Sequence, residues 1–391
     1  MKPVIVLAHF FPFPAQVGAE IRTNFVVKAL SKITDVILIA PLKSGADIEE
    51  AKRYCKEIYQ VKSFSESKIA RILRRVKEPF VSFPAAGRHL NIREFKKNLY
   101  SLEKKYDDAL LWLEAVWLME SLDNNDKRKV VLNQHNLDSA VIEKRCKNTN
   151  FPLNILLYND FIKQRKFERN NLKRAYKIFS VSEEEKENHL KLFGDLKIDV
   201  LPNAVEIEKY PLLLPNIASQ TITMTGDFGY TPNVEGFYFF LNNIFDKIKK
   251  ELNGIKVVVA GRKSQDIKVH SEDVILYGEF KEPSEVYKKT TVSIAPILTG
   301  GGSRYKIIES LAFGIPVVST KEGAEGLDIR DGEGVFIGND PKDFAKKVIE
   351  LLKNAELAKE SGTKGRKTIE EKYSFKSVMQ SFEKSVEEIL R

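Results

Sequence analysis

Cysteine is nearly absent from this chain. Cys55 and Cys146 are its two thiols, far apart and outside any zinc-finger spacing. A disulfide framework is therefore excluded, and a reducing, cytoplasmic setting is expected. No apolar run approaches the ~18 residues that a membrane-spanning helix needs. The opening stretch Met1–Ala8 has an apolar run too short for a signal peptide, lacks a small-residue cleavage site, and is expected to be a first strand. No Asp-x-Asp pair stands at the end of a predicted strand, and no His/Cys/carboxylate group has metal-ligand spacing, so no metal is expected. Internal repeats and low-complexity tracts are missing too. Helix-turn-helix, RNP-like and zinc signatures are lacking, which argues against nucleic acid as a partner.

What the chain does have is length, with 391 residues, 43% of them hydrophobic and 30% charged. That suffices for two buried cores. Its net charge of +9 favours anionic partners, or equally a solvated lysine-rich surface.

Short β-branched runs alternate with amphipathic segments. Strands are predicted at Val4–Leu7, Asp35–Ile39, Ala109–Leu113, Lys129–Asn133, Lys177–Ser180 and Asp199–Pro202, and a helix at Ala19–Lys32. The rhythm restarts after Pro202, with strands at Thr221–Thr225, Lys256–Ala260, Val274–Tyr277, Val292–Ala295, Pro316–Ser319 and Gly334–Ile337. Helices are predicted at Val234–Lys250, Pro341–Leu352 and Ala355–Lys372. A β-α-β rhythm of this kind specifies parallel sheets covered by helices. The expectation is α/β, with two doubly wound Rossmann-like domains in tandem, facing across a cleft lined by strand carboxyl ends. The boundaries are 1–205 for an acceptor-side domain, 206–372 for a donor-binding domain, and 373–391 for a last helix that packs back on the first domain. Ser374 is the predicted cap of that helix.

The richest stretch is Thr299-Gly300-Gly301-Gly302-Ser303-Arg304-Tyr305-Lys306-Ile307-Ile308-Glu309, ahead of Gly314-Ile315-Pro316-Val317-Val318. Glycines let backbone N–H groups approach an oxyanion, and a helix N-terminus adds partial positive charge. Arg304 and Lys306 place full positive charges in the first turn, where they oppose the helix dipole unless an anion lies between them. The bland alternative is a glycine-rich connection with solvated charges.

This block resembles the nucleotide-sugar signature of the large retaining GT-B glycosyltransferase family tied to bacterial polysaccharide biosynthesis, the glycosyltransferase family 4-like enzymes or glycosyl transferases group 1. That family carries two glutamates separated by seven residues. Glu309 matches the second, and Gly301 stands where the first would be, so the resemblance is to a branch lacking the first glutamate. Other segments are similar in order: Thr225-Gly226-Asp227-Phe228-Gly229, Val259-Ala260-Gly261-Arg262-Lys263, Gly278-Glu279-Phe280 and the hinge-like Leu201-Pro202-Asn203-Ala204-Val205.

The resemblance implies transfer of a sugar from a UDP-, GDP- or other nucleoside-diphosphate sugar to a glycan, lipid-linked or other acceptor, with retention. A hexose is the expected sugar. No cofactor beyond the donor is implied. It assigns donor binding to Gly18, Gly226, Arg262, Lys263, Phe280, Gly301, Gly302, Ser303, Arg304 and Glu309. It assigns catalysis to His135, which matches the family's active-site histidine; with no metal motif visible, a leaving diphosphate is expected to be met by a cationic clamp of Arg262, Lys263 and Lys306. Arg22, Glu114 and Asn136 are acceptor-side candidates. Each has a bland reading as well: a helix-surface arginine, an acid favoured by a helix dipole, a helix cap.

Residues 67–78 place Ile69, Ile72, Leu73 and Val76 on one helical face, with Lys68, Arg71, Arg74, Arg75 and Lys77 around them. With the cations up to residue 97, this reads either as an ordinary amphipathic helix or as a peripheral dock for an anionic membrane. The latter would put the protein on the inner face of the cytoplasmic membrane. Competing functions are a nucleotide-sugar epimerase or hydrolase on the same fold, and a nucleic-acid-binding protein.

Overall fold

The computed structural model describes residues 1–62, 83–123, 125–147, 149–299 and 304–391. They divide into two compact units. The first takes in Met1–Pro202 and Met379–Arg391, and the second holds the described residues between Asn203 and Val378. The basic stretch 67–78 and the residues Gly301, Gly302 and Ser303 lie outside the described residues.

In the first unit, seven strands form one parallel sheet among the described residues. They are β1 (Val4–Leu7), β2 (Val36–Pro41), β3 (Glu57–Val61), β4 (Leu110–Leu113), β5 (Val130–Asn133), β6 (Lys177–Ser180) and β7 (Ile198–Val200), in the order β3-β2-β1-β4-β5-β6-β7. Strands β1, β2 and β4 are nearly continuous Val/Ile/Leu runs because a parallel sheet is covered on both faces. Ile5, Leu7, Ile37, Ile39, Leu111 and Leu113 build one side of the core.

The second unit repeats the design with β8 (Thr221–Thr225), β9 (Lys256–Ala260), β10 (Val274–Gly278), β11 (Val292–Ala295), β12 (Val317–Ser319) and β13 (Val335–Ile337). Their order is β10-β9-β8-β11-β12-β13, again parallel. The strand order reverses at β1/β4 in one sheet and at β8/β11 in the other, which is where doubly wound sheets open a crevice. Two Rossmann-like units of this kind make the architecture GT-B.

Most elements lie within a residue or two of their predicted bounds, and two features differ. Strand β3 is an edge strand that the hydrophobic pattern does not announce. The predicted helix Val234–Lys250 starts earlier, at Thr231, where Pro232 fits the first turn. It then passes through a π-type turn at Leu241–Phe245 before Asp246–Lys249. The wider turn lets Phe240, Ile244, Phe245 and Ile248 all face the core.

The last helix, Phe375–Leu390, begins after Ser374, whose Oγ accepts the Ser377 N–H at 3.2 Å. Within the first unit, Phe382 is buried against the rings of Phe25, Trp112 and Phe179, with centroids 5.5–5.9 Å apart. Ser385 donates to Asp199, and Lys129 Nζ to the carbonyl of Ile389.

Candidate functional site

The first unit gathers a buried polar cluster at the carboxyl ends of β4 and β5. Glu114, directly after β4, is fully buried. Its carboxylate accepts from Trp112 Nε1 at 2.7 Å, Thr23 Oγ1 at 2.8 Å, Asn133 Nδ2 at 3.0 Å and His135 Nε2 at 2.9 Å. Burial pushes this carboxyl up, but the hydrogen bonds from His135, Thr23 and Asn133 outweigh it and hold the group below the usual range, so it is ionised. With Nε2 donating to the carboxylate, Nδ1 of a neutral His135 is left as an acceptor. Burial lowers His135, and Glu114 offsets part of that.

Arg22, on the helix Gly18–Leu30, is also buried. It donates twice to Asn133 Oδ1, at 2.6 and 3.1 Å, and once to the carbonyl of Leu201 at 2.6 Å. Burial brings its guanidinium down to about 10, with Glu114 opposing, so it stays charged at neutral pH. Arg22 and Glu114 thus face inward and are saturated by the protein's own groups. Gly18 opens the same helix. Glu20 in its first turn accepts the Gln16 N–H and pairs with Lys43 at 2.7 Å.

Two more histidines join His135, and neither stands out in the sequence. His9, just past β1, lies 6.0 Å from His135 and 6.4 Å from His89 between ring centroids, with Trp117 at 6.1 Å. Burial, then the neighbouring His135 and His89, keep His9 neutral well below the ordinary imidazole value. Position after a strand could have flagged His9; His89 has no local signal. Asn136, next to His135, has a buried Oδ1 with no hydrogen-bond partner among the described residues.

In the second unit, the loops after β8 and β9 are tied together. Gly226 donates to the carbonyl of Ala260 and Phe228 to that of Arg262. Gly261 has φ +123°, and a Cβ there would meet the Gly226 carbonyl at 2.1 Å, so only glycine fits. Arg262 pairs with Asp227. Lys263 takes a left-handed conformation that lays its stem along Gly229. Gly278 accepts from Gly261 N–H, and Phe280, two residues on, is half-buried.

Lys306, in the first turn of the helix Tyr305–Ala312, reaches the β8/β11 switch point. Its ammonium donates to Asn233 Oδ1 and lies beside Gly226. Asn233 in turn donates to the carbonyl of Asp227 at 2.7 Å. Asn233 lies inside the helix that begins at Thr231, not at its cap, and its side chain makes this bridge. Burial, then the charge of Arg304, bring Lys306 down to about 7. Arg304 itself is turned to Glu325, at 3.2 Å.

Glu309, one turn along, accepts from Tyr287 at 3.1 Å, and Tyr287 shares a hydrogen bond with Thr225 at the end of β8. Burial pushes Glu309 up to about 7. Tyr210 and Tyr305, hydroxyl to hydroxyl at 2.6 Å, are an aromatic pair that sequence reasoning missed. Arg262, Lys306 and Glu309 thus stand at or beside neighbouring strand ends of one sheet, with glycine backbone between them. The arrangement can hold a phosphate-bearing ligand on backbone and cations, with a carboxyl one turn away for hydroxyls.

Residues 219–354 match the model of a family described as Glycosyl transferases group 1. A Klebsiella pneumoniae protein described as an uncharacterized 44.6 kDa protein in the cps region is 25% identical over 401 residues, covering 97% of this chain and 99% of its own. Among solved structures, sucrose-phosphate synthase from Thermosynechococcus elongatus matches with a TM-score of 0.73 at 13% identity, covering 100% of this chain and 99% of its own. Anabaena HepE, solved with UDP and glucose, matches at 0.66 and 10% identity, covering 99% and 100%. The structural likenesses bear on fold; the family match supports sugar transfer as the class of activity.

Proposed function

We propose that this chain, whose residues 219–354 match the glycosyl transferases group 1, moves a sugar, a hexose by expectation, from a nucleoside-diphosphate sugar to a glycan or lipid-linked acceptor, with retention and without a metal. The observation that carries this reading is the Lys306 ammonium at the β8/β11 switch point, beside Gly226 and one loop from Arg262. Developing charge on a departing diphosphate is what a positioned cation stabilises best. In this reading Arg262, Lys263 and Lys306 take the diphosphate, together with the backbone of Gly226 and of Gly301, Gly302 and Ser303. Arg304 keeps its pair with Glu325 and adds positive field. Gly18 is kept as a donor-binding residue on the strength of the family resemblance, and the stretch around Phe280 takes the base. Glu309 holds hydroxyls, as donor or acceptor according to its proton. HepE's UDP supports a nucleotide donor by analogy.

His135 is assigned to the transferred sugar. Glu114 fixes its orientation and Arg22 holds Asn133, so both act as positioning residues of the acceptor half, while Asn136 offers an unused acceptor atom. The attack is front-face on an oxocarbenium-like centre, with no covalent intermediate on His135. The test is Lys306→Ala and Glu309→Ala, with folding checked by melting. Each should cut transfer by about 10²-fold or more, the scale of losing one preorganised charge. Unchanged donor affinity and turnover in both would remove the assignment.

A further inference from the structure

The helix Leu153–Leu172 carries an apolar surface turned away from its own unit. Phe151 is 77% exposed, Ile155 58% and Ile162 47%, and Leu153, Leu156 and Tyr158 are also exposed. A surface helix normally shows its polar side to water. Here the polar Gln164, Glu168 and Asn171 are buried alongside Leu172. Ile155, Tyr158 and Ile162 follow at three- and four-residue spacing on one outward stripe, and the same stripe continues into Lys166, Arg169 and Lys173. The helix Asp138–Lys147 packs against it and contributes exposed Lys144, Arg145 and Lys147. Between residues 138 and 176 the sequence holds nine Lys or Arg against four Asp or Glu, and one of those acids, Glu168, is buried.

We propose that this face docks on an anionic lipid surface, with Phe151 to Ile162 entering the headgroup boundary and the lysines and arginines meeting the phosphates. An apolar stripe that runs into cations matches such an interface on both counts. Charge selects the occupant. A second copy would bring the same positive rim against itself, and the chain's own stretch 67–78 is just as basic. On its other contacts the helix is held to its own unit, with Phe83 against Phe167, 5.4 Å between rings, and Ala85 donating to Asp160 at 2.9 Å. The surface is distinct from the residues assigned to chemistry, so the proposal stands or falls apart from the donor reading.

The experiment is flotation of the full chain with vesicles of phosphatidylcholine alone and with phosphatidylglycerol added. The variants are Ile155→Ser/Tyr158→Ser/Ile162→Ser and Lys166→Glu/Arg169→Glu. All five side chains are partly or fully in water, so folding should survive, as melting curves would verify. The wild type should bind the phosphatidylglycerol vesicles, with each variant weakened by at least ~10-fold, the scale expected for losing several interfacial side chains or charges. Binding unchanged in the triple serine variant would overturn the proposal. So would sedimentation showing a wild-type dimer that the serine variant abolishes, or binding that disappears only when the cations of 67–78 are neutralised.

Discussion

A buried carboxylate with four donors anchors the polar cluster of the first unit. Glu114 accepts from Trp112, Thr23, Asn133 and His135, with Arg22 held close by through Asn133. Removing it takes a negative charge away from the buried Arg22 guanidinium and leaves four donors to find new acceptors. Glu114→Leu should therefore cost roughly 3–5 kcal/mol of stability in denaturant unfolding. A variant as stable as the wild type would show that the cluster does not need its charge. Two residues of the second unit titrate near neutrality with opposite signs. Lys306, at about 7, is depressed below its ordinary value of 10.5, so between those values the unfolded chain binds more protons and stability rises with pH. Glu309, raised to about 7, keeps a proton that the unfolded chain releases above 4.5, so stability falls as pH rises through that window. For a diphosphate ligand the consequence is sharper. Above pH 7 the Lys306 amine must take up a proton to pair with the anion, so affinity should fall by at most about tenfold per pH unit. Calorimetry in buffers of differing ionisation heat would detect the uptake, and Lys306→Arg should abolish it. Affinity for a nucleoside diphosphate independent of pH between 7 and 9 would contradict the assignment.

At the scale of elements, what could be read in advance was what local chemistry determines. The β-branched runs Thr221–Thr225, Lys256–Ala260 and Val292–Ala295 coincide with β8, β9 and β11, because burial on both faces leaves little other choice. Gly261 was visible as a glycine but not as a position where the neighbouring carbonyl forbids a side chain. Long-range partnerships were out of reach: Asn233 with Lys306, Tyr287 with Glu309, and His9 with His135 are each joined by tertiary packing across many residues. The outward apolar face of Leu153–Leu172 was hidden too, since this helix buries Gln164, Glu168 and Asn171 against the usual rule. The spacing of Val378, Phe382, Val386 and Ile389 did mark the buried side of the last helix. Phe382→Ala should lower the stability of the first unit by roughly 3–5 kcal/mol, the cost of emptying a buried aromatic site. A loss under about 1 kcal/mol would mean the cluster of Phe25, Trp112 and Phe179 collapses onto the gap.

For the molecule as a whole, two Rossmann-like sheets and the match of residues 219–354 to the glycosyl transferases group 1 support sugar transfer as the class of activity. In the proposed mechanism the protein itself supplies the positive charge that other enzymes take from a divalent cation. The most direct measurement is to incubate the full chain with a panel of UDP- and GDP-sugars and a glycan or lipid-linked acceptor, in EDTA, and follow both nucleoside diphosphate release and the sugar on the acceptor. The expected result is stoichiometric release and transfer from at least one donor, with the sugar's anomeric configuration kept. A donor hydrolysed or epimerised with nothing on the acceptor, or activity that vanishes in EDTA and returns with magnesium or manganese, would contradict it.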